Sequence, residues 1–212
     1  MTRESDIQAV IFDVGGVLDT PDRRAEEDSD RRRLAAQLGL DVDEMWRRFY
    51  QTETWKLARI GQITDGEFWN RNLSPFGITN LADQQAFIQR LFAYKGVSPA
   101  MRELLEELGG RTRLAIISNA SDTLEITLEK RFQIAHYFEI VVNSARVGYA
   151  KPEPAIFRIA LERLALRPAQ TVFTDDQQHN VDAARESGLH AVLFTAAHDL
   201  RKHLVELGVL RD

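Results

Sequence analysis

The 212-residue chain is predicted to be an α/β protein with a parallel five-stranded sheet and a block of helices inserted after the first strand. Short apolar runs that are too brief for a helix and do not alternate with polar residues indicate strands buried on both faces. From Ser98 onward these runs alternate with helical patterns of about ten residues, and parallel strands need helical crossovers between them. The helices should therefore cover both faces of the sheet.

The predicted strands and helices follow in order along the chain. The strands are residues 9–12, 113–118, 139–142, 171–175 and 190–194. The helices that cover them are residues 99–108, a segment that ends at residue 130, residues 154–165, residues 180–187 and a last segment that ends at residue 207. Pro99 at the start of the first helix and Gly109 after its end are typical of helix boundaries. The result is a three-layer, Rossmann-like core.

Residues 21–95 show no strand pattern, and apolar residues three and four apart predict four helices there. The pairs that carry this spacing are Leu34 and Leu38, Met45 and Phe49, and Phe87 and Leu91, and Phe68 is paired at the same spacing with the polar Asn72. Asp41 and Thr64 are predicted N-caps. The aromatic side chains are interpreted as the interior of a small helical bundle, with Trp55, Arg59 and Trp69 as the candidates for facing a ligand.

The order of these patterns predicts two domains. The first strand belongs to the same sheet as the later strands, so the residues between it and its first covering helix form an insertion. The core domain is predicted to comprise residues 1–15 and 96–212, and the inserted helical domain residues 16–95.

The composition excludes several classes of protein. A hydrophobic content of 44% is enough for a core, and the lack of cysteine excludes disulfides, thiolate metal sites and a cysteine nucleophile. The net charge is −5, and the mixed charges of residues 26–33 indicate a solvated helix face, so nucleic acid is not an expected partner. We find no run of about 18 apolar residues, and the first residues are polar, so we expect a cytoplasmic protein without a membrane span or secretory signal.

Polar residues follow the predicted strands at the points where ligand sites of such sheets lie. They are Asp13 after the first strand, Ser118 and Asn119 at the end of the second, Lys151 after the third, and Asp175 and Asp176 at the end of the fourth. Taken singly, each has an ordinary explanation as a helix cap, a surface lysine or an acidic loop.

Taken together, these residues form a chemical set. Carboxylates that converge at neighbouring strand ends raise each other's pKa unless a hard cation lies among them, and Mg²⁺ suits that role. The polar groups of Ser118 and Asn119, the Lys151 ammonium and the backbone N–H groups of a turn at Gly15 and Gly16 are suited to a tetrahedral dianion. Phosphoryl transfer is catalysed by such positioning and charge neutralisation, and a carboxylate can accept the phosphoryl group covalently. Asp13 is the natural nucleophile.

Four segments resemble the four motifs of the haloacid dehalogenase (HAD) superfamily, and they stand in the family's order. They are residues 11–18 (Ile-Phe-Asp-Val-Gly-Gly-Val-Leu), 117–119 (Ile-Ser-Asn), 148–154 (Gly-Tyr-Ala-Lys-Pro-Glu-Pro) and 172–180 (Val-Phe-Thr-Asp-Asp-Gln-Gln-His-Asn). A helical insertion directly after the first motif resembles the type 1 cap of this family, so the resemblance covers the whole chain.

The resemblance implies a Mg²⁺ site. Asp13 would be both nucleophile and metal ligand, and the carbonyl oxygen of Gly15 would be a second ligand. Asp176 would bind the metal directly, and Asp175 directly or through water.

The resemblance also implies a phosphate site. Ser118, with Asn119, would bind the phosphoryl oxygens. Lys151 would steady the charge around the nucleophile and the phosphate, so the expected catalytic residues are Asp13, Ser118 and Lys151.

One position departs from the family's pattern. Most phosphatases of this superfamily carry a second Asp, a general acid and base, where this chain has Gly15. A branch that includes bacterial α-D-glucose-1-phosphate phosphatases also lacks it, and residues 12–17 resemble that branch. Without this acid we expect a preference for anomeric or aryl phosphates, because their leaving groups depend less on a proton donor. Alternatively, Asp19 or Glu53 could supply the acid from the cap.

These observations predict a Mg²⁺-dependent phosphatase that hydrolyses a small phosphorylated metabolite, with a sugar phosphate as one candidate, through an aspartyl-phosphate on Asp13. Two alternatives stay open. A 2-haloacid dehalogenase would also lack an acid at Gly15, although such enzymes need no metal and usually do not keep paired acids such as Asp175 and Asp176. A catalytically weak domain that binds phosphometabolites or a protein is the other. The substrate, and the choice between monomer and homodimer, are left open.

Overall fold

The fold is organised around a sheet of five parallel strands, as predicted. A computed structural model describes residues 6–20 and 24–211 and, at residues 24, 25 and 27, the backbone alone. The strands are β1 (Ala9–Phe12), β2 (Arg113–Ser118), β3 (Ile140–Asn143), β4 (Thr171–Asp175) and β5 (His190–Leu193). Their spatial order is β3-β2-β1-β4-β5, and every neighbouring pair is parallel. The predicted strands agree with the observed ones to within one residue at each end.

The described residues form eleven α-helices. They are α1 (Arg24–Gln37), α2 (Val42–Tyr50), α3 (Glu53–Arg59), α4 (Asp65–Leu73), α5 (Leu81–Leu91), α6 (Pro99–Gly109), α7 (Leu124–Ile126), α8 (Ser144–Val147), α9 (Pro154–Leu164), α10 (Gln178–Glu186) and α11 (Ala197–Glu206). None of them is long and apolar enough to cross a membrane.

The helices cover the sheet on both faces, which confirms the three-layer α/β core. Alternate residues of β1 point to opposite faces, because successive side chains of a strand do so. Val10 and Phe12 pack in a cluster with apolar residues of α6 and α11. Ala9 and Ile11 pack on the other face with apolar residues of α9 and α10. We call this part of the molecule, which consists of the sheet and the helices on both of its faces, the sheet layer.

Helices α1–α5, which we call the helical insertion, have a hydrophobic core of their own. Phe49 of α2 lies edge-on to Trp69 of α4 at a centroid distance of 5.5 Å and to Phe87 of α5 at 6.3 Å. All three rings are buried, and the cluster draws only on residues of this region. The predicted aromatic interior is therefore present. The predicted domain boundaries at residues 15/16 and 95/96 stay predictions.

The prediction of four helices in this region was wrong, since the described residues 24–95 form five. The missing helix is α3, which has seven residues and buries only Ala58. A helix of about two turns with one buried position shows almost no apolar repeat, so the spacing did not indicate it. The N-caps were predicted correctly: Asp41 accepts a hydrogen bond from the Glu44 N–H at 2.8 Å, and Thr64 forms a capping box with Glu67.

Two further segments of the sheet layer differ from expectation. The helix predicted to end at residue 130 has one α-helical turn, α7, followed by a π-helical turn over Thr127–Arg131. Helix α8 was not predicted, and its four residues leave too little sequence for a periodic pattern.

The helical insertion docks on the sheet layer beside the carboxyl ends of the strands. The Asp65 N–H at the start of α4 donates to Asp122 Oδ1 at 2.9 Å, and Ser121 Oγ donates to Asp65 Oδ1 at 2.7 Å. Gly61, with φ of +74°, lies against the backbone carbonyl of Ala145 in α8, where a Cβ would overlap that oxygen. The insertion therefore approaches the core so closely at this point that only glycine fits.

We expect Gly61→Ala to weaken this docking. Alanine in the left-handed conformation costs about 1–2 kcal/mol, and its Cβ would push the insertion away from Ala145. Thermal unfolding should show a lower Tm, and limited proteolysis should cleave the variant faster. Gly66→Ala in α4 is the matched control, because its Cβ would meet no atom within 4 Å, and alanine in a helix is favoured by roughly 0.5–1 kcal/mol. Equal Tm values for the two variants would contradict the contact.

Candidate functional site

The candidate site lies beyond the carboxyl ends of β1 and β4, where the strand order reverses. The chain runs from β1 outward through β2 and β3 and then crosses to β4 on the other side of β1. Ligands of open parallel sheets bind in the crevice at such a point. Asp13 follows β1 and its N–H donates to the Thr174 carbonyl at 2.9 Å, while Asp175 ends β4. The strand register therefore brings the Asp13 and Asp175 carboxylates together.

A buried lysine bridges these two carboxylates. Lys151 Nζ lies 2.8 Å from Asp13 Oδ1 and 2.6 Å from Asp175 Oδ2, and only 1% of the lysine is exposed. A buried ammonium in this position offsets the repulsion between two carboxylates at low dielectric. The sequence prediction placed Lys151 directly after the third strand; in the structure it follows α8, which intervenes.

Asn119 holds the backbone of this lysine. Its Oδ1 accepts the Lys151 N–H at 2.7 Å, and its Nδ2 donates to the Lys151 carbonyl at 2.9 Å. The amide thus fixes the loop that carries the ammonium. A direct contact between Asn119 and a phosphoryl group stays a prediction, and in this arrangement the second Nδ2 hydrogen is the donor left for it.

Two residues that the sequence reasoning missed orient Asp175. The Gln177 N–H donates to Asp175 Oδ1 at 2.8 Å, and Asn180 Nδ2 lies 3.1 and 3.2 Å from the two carboxylate oxygens. Asn180 is buried at the start of α10, next to Val181. Asn180 is a polar residue on the apolar face of a helix that begins just after the acidic pair, and this pattern in the sequence could have indicated its role.

The environment of Asp13 favours its protonated form more than water does. Burial raises the pKa of Asp13 to about 6, with the charge of Asp175 adding to the rise and Lys151 and the Val14 N–H opposing it. The Val14 N–H and Lys151 both bond to Oδ1, and Oδ2 accepts no hydrogen bond from any residue within 6–20 and 24–211. The second oxygen is therefore available to a ligand.

Three carboxylates at this point could hold a metal ion. Asp13, Asp175 and Asp176 each offer an oxygen, and these atoms lie within 4.8 Å of one another. With Lys151 the ionised set carries a net charge of −2, which a divalent cation neutralises, and an all-oxygen donor set suits Mg²⁺. Gly16 has φ of +73°, and a Cβ there would overlap the Asp176 carboxylate, so the glycine makes room for it. The residues present therefore fit the predicted metal.

A cavity of about 340 Å³ lies between the sheet layer and the helical insertion and reaches this site. Gly15, Ser118 and Asn119 line it from the strand ends. The insertion contributes mostly aromatic side chains, which are Tyr50, Trp55, Phe68, Trp69 and Phe92. Trp55 and Trp69 thus face the cavity as candidates, whereas Arg59 is not among the described residues that line it.

The two acids proposed from sequence are placed very differently. Glu53 is 80% exposed at its side chain, pairs with Lys56 and lies outside the cavity. Asp19 lines the cavity and forms an ion pair with Lys95 at 2.9 Å. The sequence reasoning missed a second carboxyl group that lines the cavity, Asp65. Gly15 has open space around it, since a Cβ there would meet no atom within 4 Å.

A family model described as haloacid dehalogenase-like hydrolase matches residues 7–188. The chain belongs to this family. This confirms the family that the four motifs predicted, although the α-D-glucose-1-phosphate phosphatase branch within it stays a prediction.

Curated relatives of this HAD-like hydrolase include sugar phosphatases. The chain is 26% identical to the fructose-1-phosphate phosphatase YqaB of Escherichia coli over 188 residues, which are 86% of this chain and 94% of that protein. It is 29% identical over 116 residues to the phosphorylated carbohydrates phosphatase of Thermotoga maritima. That match covers 53% of each protein, so the chain spans about half the length of that relative.

A solved structure of similar fold is the HAD family enzyme bt-2542 of Bacteroides thetaiotaomicron, in complex with magnesium and inorganic phosphate. The TM-score is 0.72 at 23% identity, and the match covers 90% of this chain and 95% of that chain. At this level of identity the likeness shows a shared fold.

We expect Lys151→Met to destabilise the metal-free protein most at neutral and alkaline pH. Removing one partner of a buried ion pair costs ~3–5 kcal/mol, because the remaining charges are uncompensated. Without the ammonium, which lowers the pKa of Asp13, the folded-state pKa of Asp13 rises further above its unfolded value. The folded state of the variant is then favoured at low pH, and this stability is lost as pH rises through the folded pKa.

The measurement is urea unfolding of both proteins at pH 5 and pH 8 in excess chelator. The free energy of unfolding should differ more at pH 8. Lys130→Met, at an exposed position, is the control and should change little. A deficit that is the same at both pH values would show that the lysine acts through packing alone.

Proposed function

We propose that this HAD-like hydrolase is a Mg²⁺-dependent phosphatase that hydrolyses a small phosphorylated metabolite through an aspartyl-phosphate on Asp13. The observation that carries the proposal is the arrangement of Asp13, Lys151, Asp175 and Asp176 at the carboxyl ends of β1 and β4, beside the cavity that Gly15 and Ser118 line. A buried site with a net charge of −2 and one unengaged oxygen on the central carboxylate combines a nucleophile with a place for a divalent cation.

Each residue of the site has a role in the proposed reaction. Asp13 Oδ2 forms a bond to phosphorus while the bond from phosphorus to the ester oxygen breaks. Water then attacks the aspartyl-phosphate, which releases inorganic phosphate and restores the carboxylate. Ser118, Asn119 and the backbone N–H groups of Gly15 and Gly16 bind the phosphoryl oxygens.

Lys151 and a bound divalent cation would balance the negative charge of the carboxylates and of the phosphoryl group. Lys151 keeps Asp13 ionised and attracts the phosphoryl oxygens. Asp13, the Gly15 carbonyl, Asp176 and Asp175 would hold Mg²⁺, with Asp175 bonding directly or through water. A bound Mg²⁺ supplies charge neutralisation between the nucleophile and the phosphoryl oxygens.

The comparisons support a phosphorylated metabolite as the substrate. Two curated relatives act on fructose 1-phosphate and phosphorylated carbohydrates by their names, and the structural relative from Bacteroides thetaiotaomicron holds magnesium and inorganic phosphate. A cavity of about 340 Å³ with aromatic walls suits a small molecule such as a sugar phosphate.

We expect phosphate release to depend on added Mg²⁺. Chelation should abolish hydrolysis of p-nitrophenyl phosphate, and Asp176→Ala should need a much higher Mg²⁺ concentration for half-maximal rate, because one carboxylate ligand is lost. Asp182→Ala, which changes an exposed carboxylate of α10, is the control and should titrate like the wild type. Chloride release from 2-chloropropionate that persists in excess chelator would instead identify a dehalogenase.

We expect Asp13→Asn to lower kcat by several orders of magnitude while the fold is retained. The amide keeps the shape of the side chain but is not a nucleophile. Rapid acid quench of the wild type with labelled substrate should trap a phosphorylated protein, and the variant should trap none. Undiminished turnover by Asp13→Asn would refute the covalent mechanism. Background activity of both proteins on every ester of a phosphometabolite screen would favour a binding domain.

A further inference from the structure

We propose that Asp65, on α4 of the helical insertion, donates the proton to the leaving oxygen of the substrate. This inference rests on the proposed phosphatase function and adds a catalytic residue to it.

The groups at the strand ends do not supply this proton. Asp13 is the nucleophile and must be ionised, and Lys151 is held by two carboxylates. Gly15 has no side chain, although the space beside it is open. An alkoxide is a strong base and a poor leaving group, so a positioned acid is typically worth about 10²–10⁴-fold in rate. The donor must therefore come from elsewhere in the cavity wall.

Two carboxyl groups are present among the described cavity-lining residues, Asp19 and Asp65. Asp19 and Lys95 form an ion pair at 2.9 Å, and both side chains are less than one-fifth exposed. An opposite charge at this distance favours the ionised form of a carboxyl group, which makes Asp19 the poorer candidate for a proton donor. Tyr50 also lines the cavity, but burial raises the pKa of its hydroxyl above the ordinary value, which makes it a weaker acid. Asp65 is the remaining carboxyl group.

The surroundings of Asp65 favour a proton on its carboxyl group. Burial raises its pKa, and the charge of Asp122 acts in the same direction, while hydrogen bonds from Ser121 and Trp69 oppose the rise. Among the described residues, the charged or titratable groups that interact with it are Asp122 of the sheet layer and Tyr50 of α2, and neither is a cation. No lysine or arginine within residues 28–211 forms an ion pair with Asp65, in contrast to the pair of Asp19 and Lys95.

The position of Asp65 is fixed by two hydrogen bonds to the loop after β2. Its N–H donates to Asp122 Oδ1 at 2.9 Å, and its Oδ1 accepts from Ser121 Oγ at 2.7 Å. Ser121 lies three residues after Ser118, so these contacts tie Asp65 to the loop that begins at the proposed phosphate site. The hydrogen bond from Ser121 ends on Oδ1, and we assign the proton to the second oxygen, Oδ2.

The proposed proton transfers balance over one cycle. As the bond from phosphorus to the ester oxygen breaks, the Asp65 carboxyl proton moves to that oxygen and a neutral alcohol leaves. The Asp65 carboxylate then accepts a proton from the water that attacks the aspartyl-phosphate on Asp13. Phosphate is released, and Asp65 is again protonated.

The test compares leaving groups in the wild type, Asp65→Asn and Ser121→Ala. The esters are p-nitrophenyl phosphate, phenyl phosphate and glucose 6-phosphate, whose leaving groups are increasingly basic. Asn keeps the shape of Asp65 and can accept the hydrogen bond from Ser121, but it cannot donate an acidic proton. We expect kcat/KM of Asp65→Asn to fall ~10²–10⁴-fold for glucose 6-phosphate, while the first release of p-nitrophenolate in a stopped-flow experiment stays close to the wild-type rate.

Ser121→Ala is the matched control, because it removes the docking hydrogen bond and keeps the acid. It should lower kcat/KM for glucose 6-phosphate far less than Asp65→Asn does, because the carboxyl group that donates the proton is still present. If Asp65→Asn behaves in the same way, or loses no activity on glucose 6-phosphate, Asp65 is a docking residue and the proposal is overturned. If Asp65→Asn loses no activity on glucose 6-phosphate, the active site has no proton donor at this position. The wild-type enzyme should then prefer glucose 1-phosphate over glucose 6-phosphate.

The wild type alone provides a second measurement that does not depend on folding of a variant. For glucose 6-phosphate, kcat/KM should decrease at high pH, as Asp65 loses its proton, and for p-nitrophenyl phosphate this decrease should be absent. Parallel pH profiles for the two esters would overturn the proposal. The variant Asp13→Asn separates this inference from the proposed function. If Asp13→Asn is inactive and Asp65→Asn has wild-type activity, the role of Asp65 is refuted while the phosphatase mechanism on Asp13 still holds.

Discussion

The buried ammonium of Lys151 is the contact on which the site depends. Asp13 and Asp175 stand at adjacent strand ends because of the register of β1 and β4, and they would repel each other without a cation between them. Lys151 comes from a loop after α8, and Asn119 at the end of β2 holds that loop by two hydrogen bonds. One lysine thus joins segments that follow β1, β2, β3 and β4. A shift of any of these segments would change the position or the charge environment of the Asp13 carboxylate.

The charge of the site explains why its proposed ligands should help each other bind. Three carboxylates and one ammonium leave a net negative charge at the point where a phosphate dianion must approach. A divalent cation in this position removes the repulsion, and a bound dianion in turn increases the attraction for the cation. Such coupling is reciprocal by thermodynamic necessity.

The sequence was sufficient for the sheet and for the residues at its edge, but not for the contacts between distant segments. Apolar runs gave the strands, and parallel strands place the residues that follow them at a common edge, which is why Asp13, Ser118 and Asp175 could be grouped in advance. Helix α3 was missed because two turns carry little periodicity. The place of Asp65 depends on how α4 docks on the loop of Ser121, and no local pattern reports such a long-range contact.

The aromatic core of the helical insertion shares no residue with the two clusters that flank the sheet. Stability of the two parts is therefore supplied by separate sets of side chains, and distant sites contribute to it nearly additively. Trp55 and Phe92 line the cavity and pack in the cluster of the insertion, so we expect a substitution there to alter the cavity wall more than the packing around β1 and β4. In evolutionary terms, the aromatic residues of the cavity wall can change while Asp13, Lys151 and Asp175 stay in place at the strand ends.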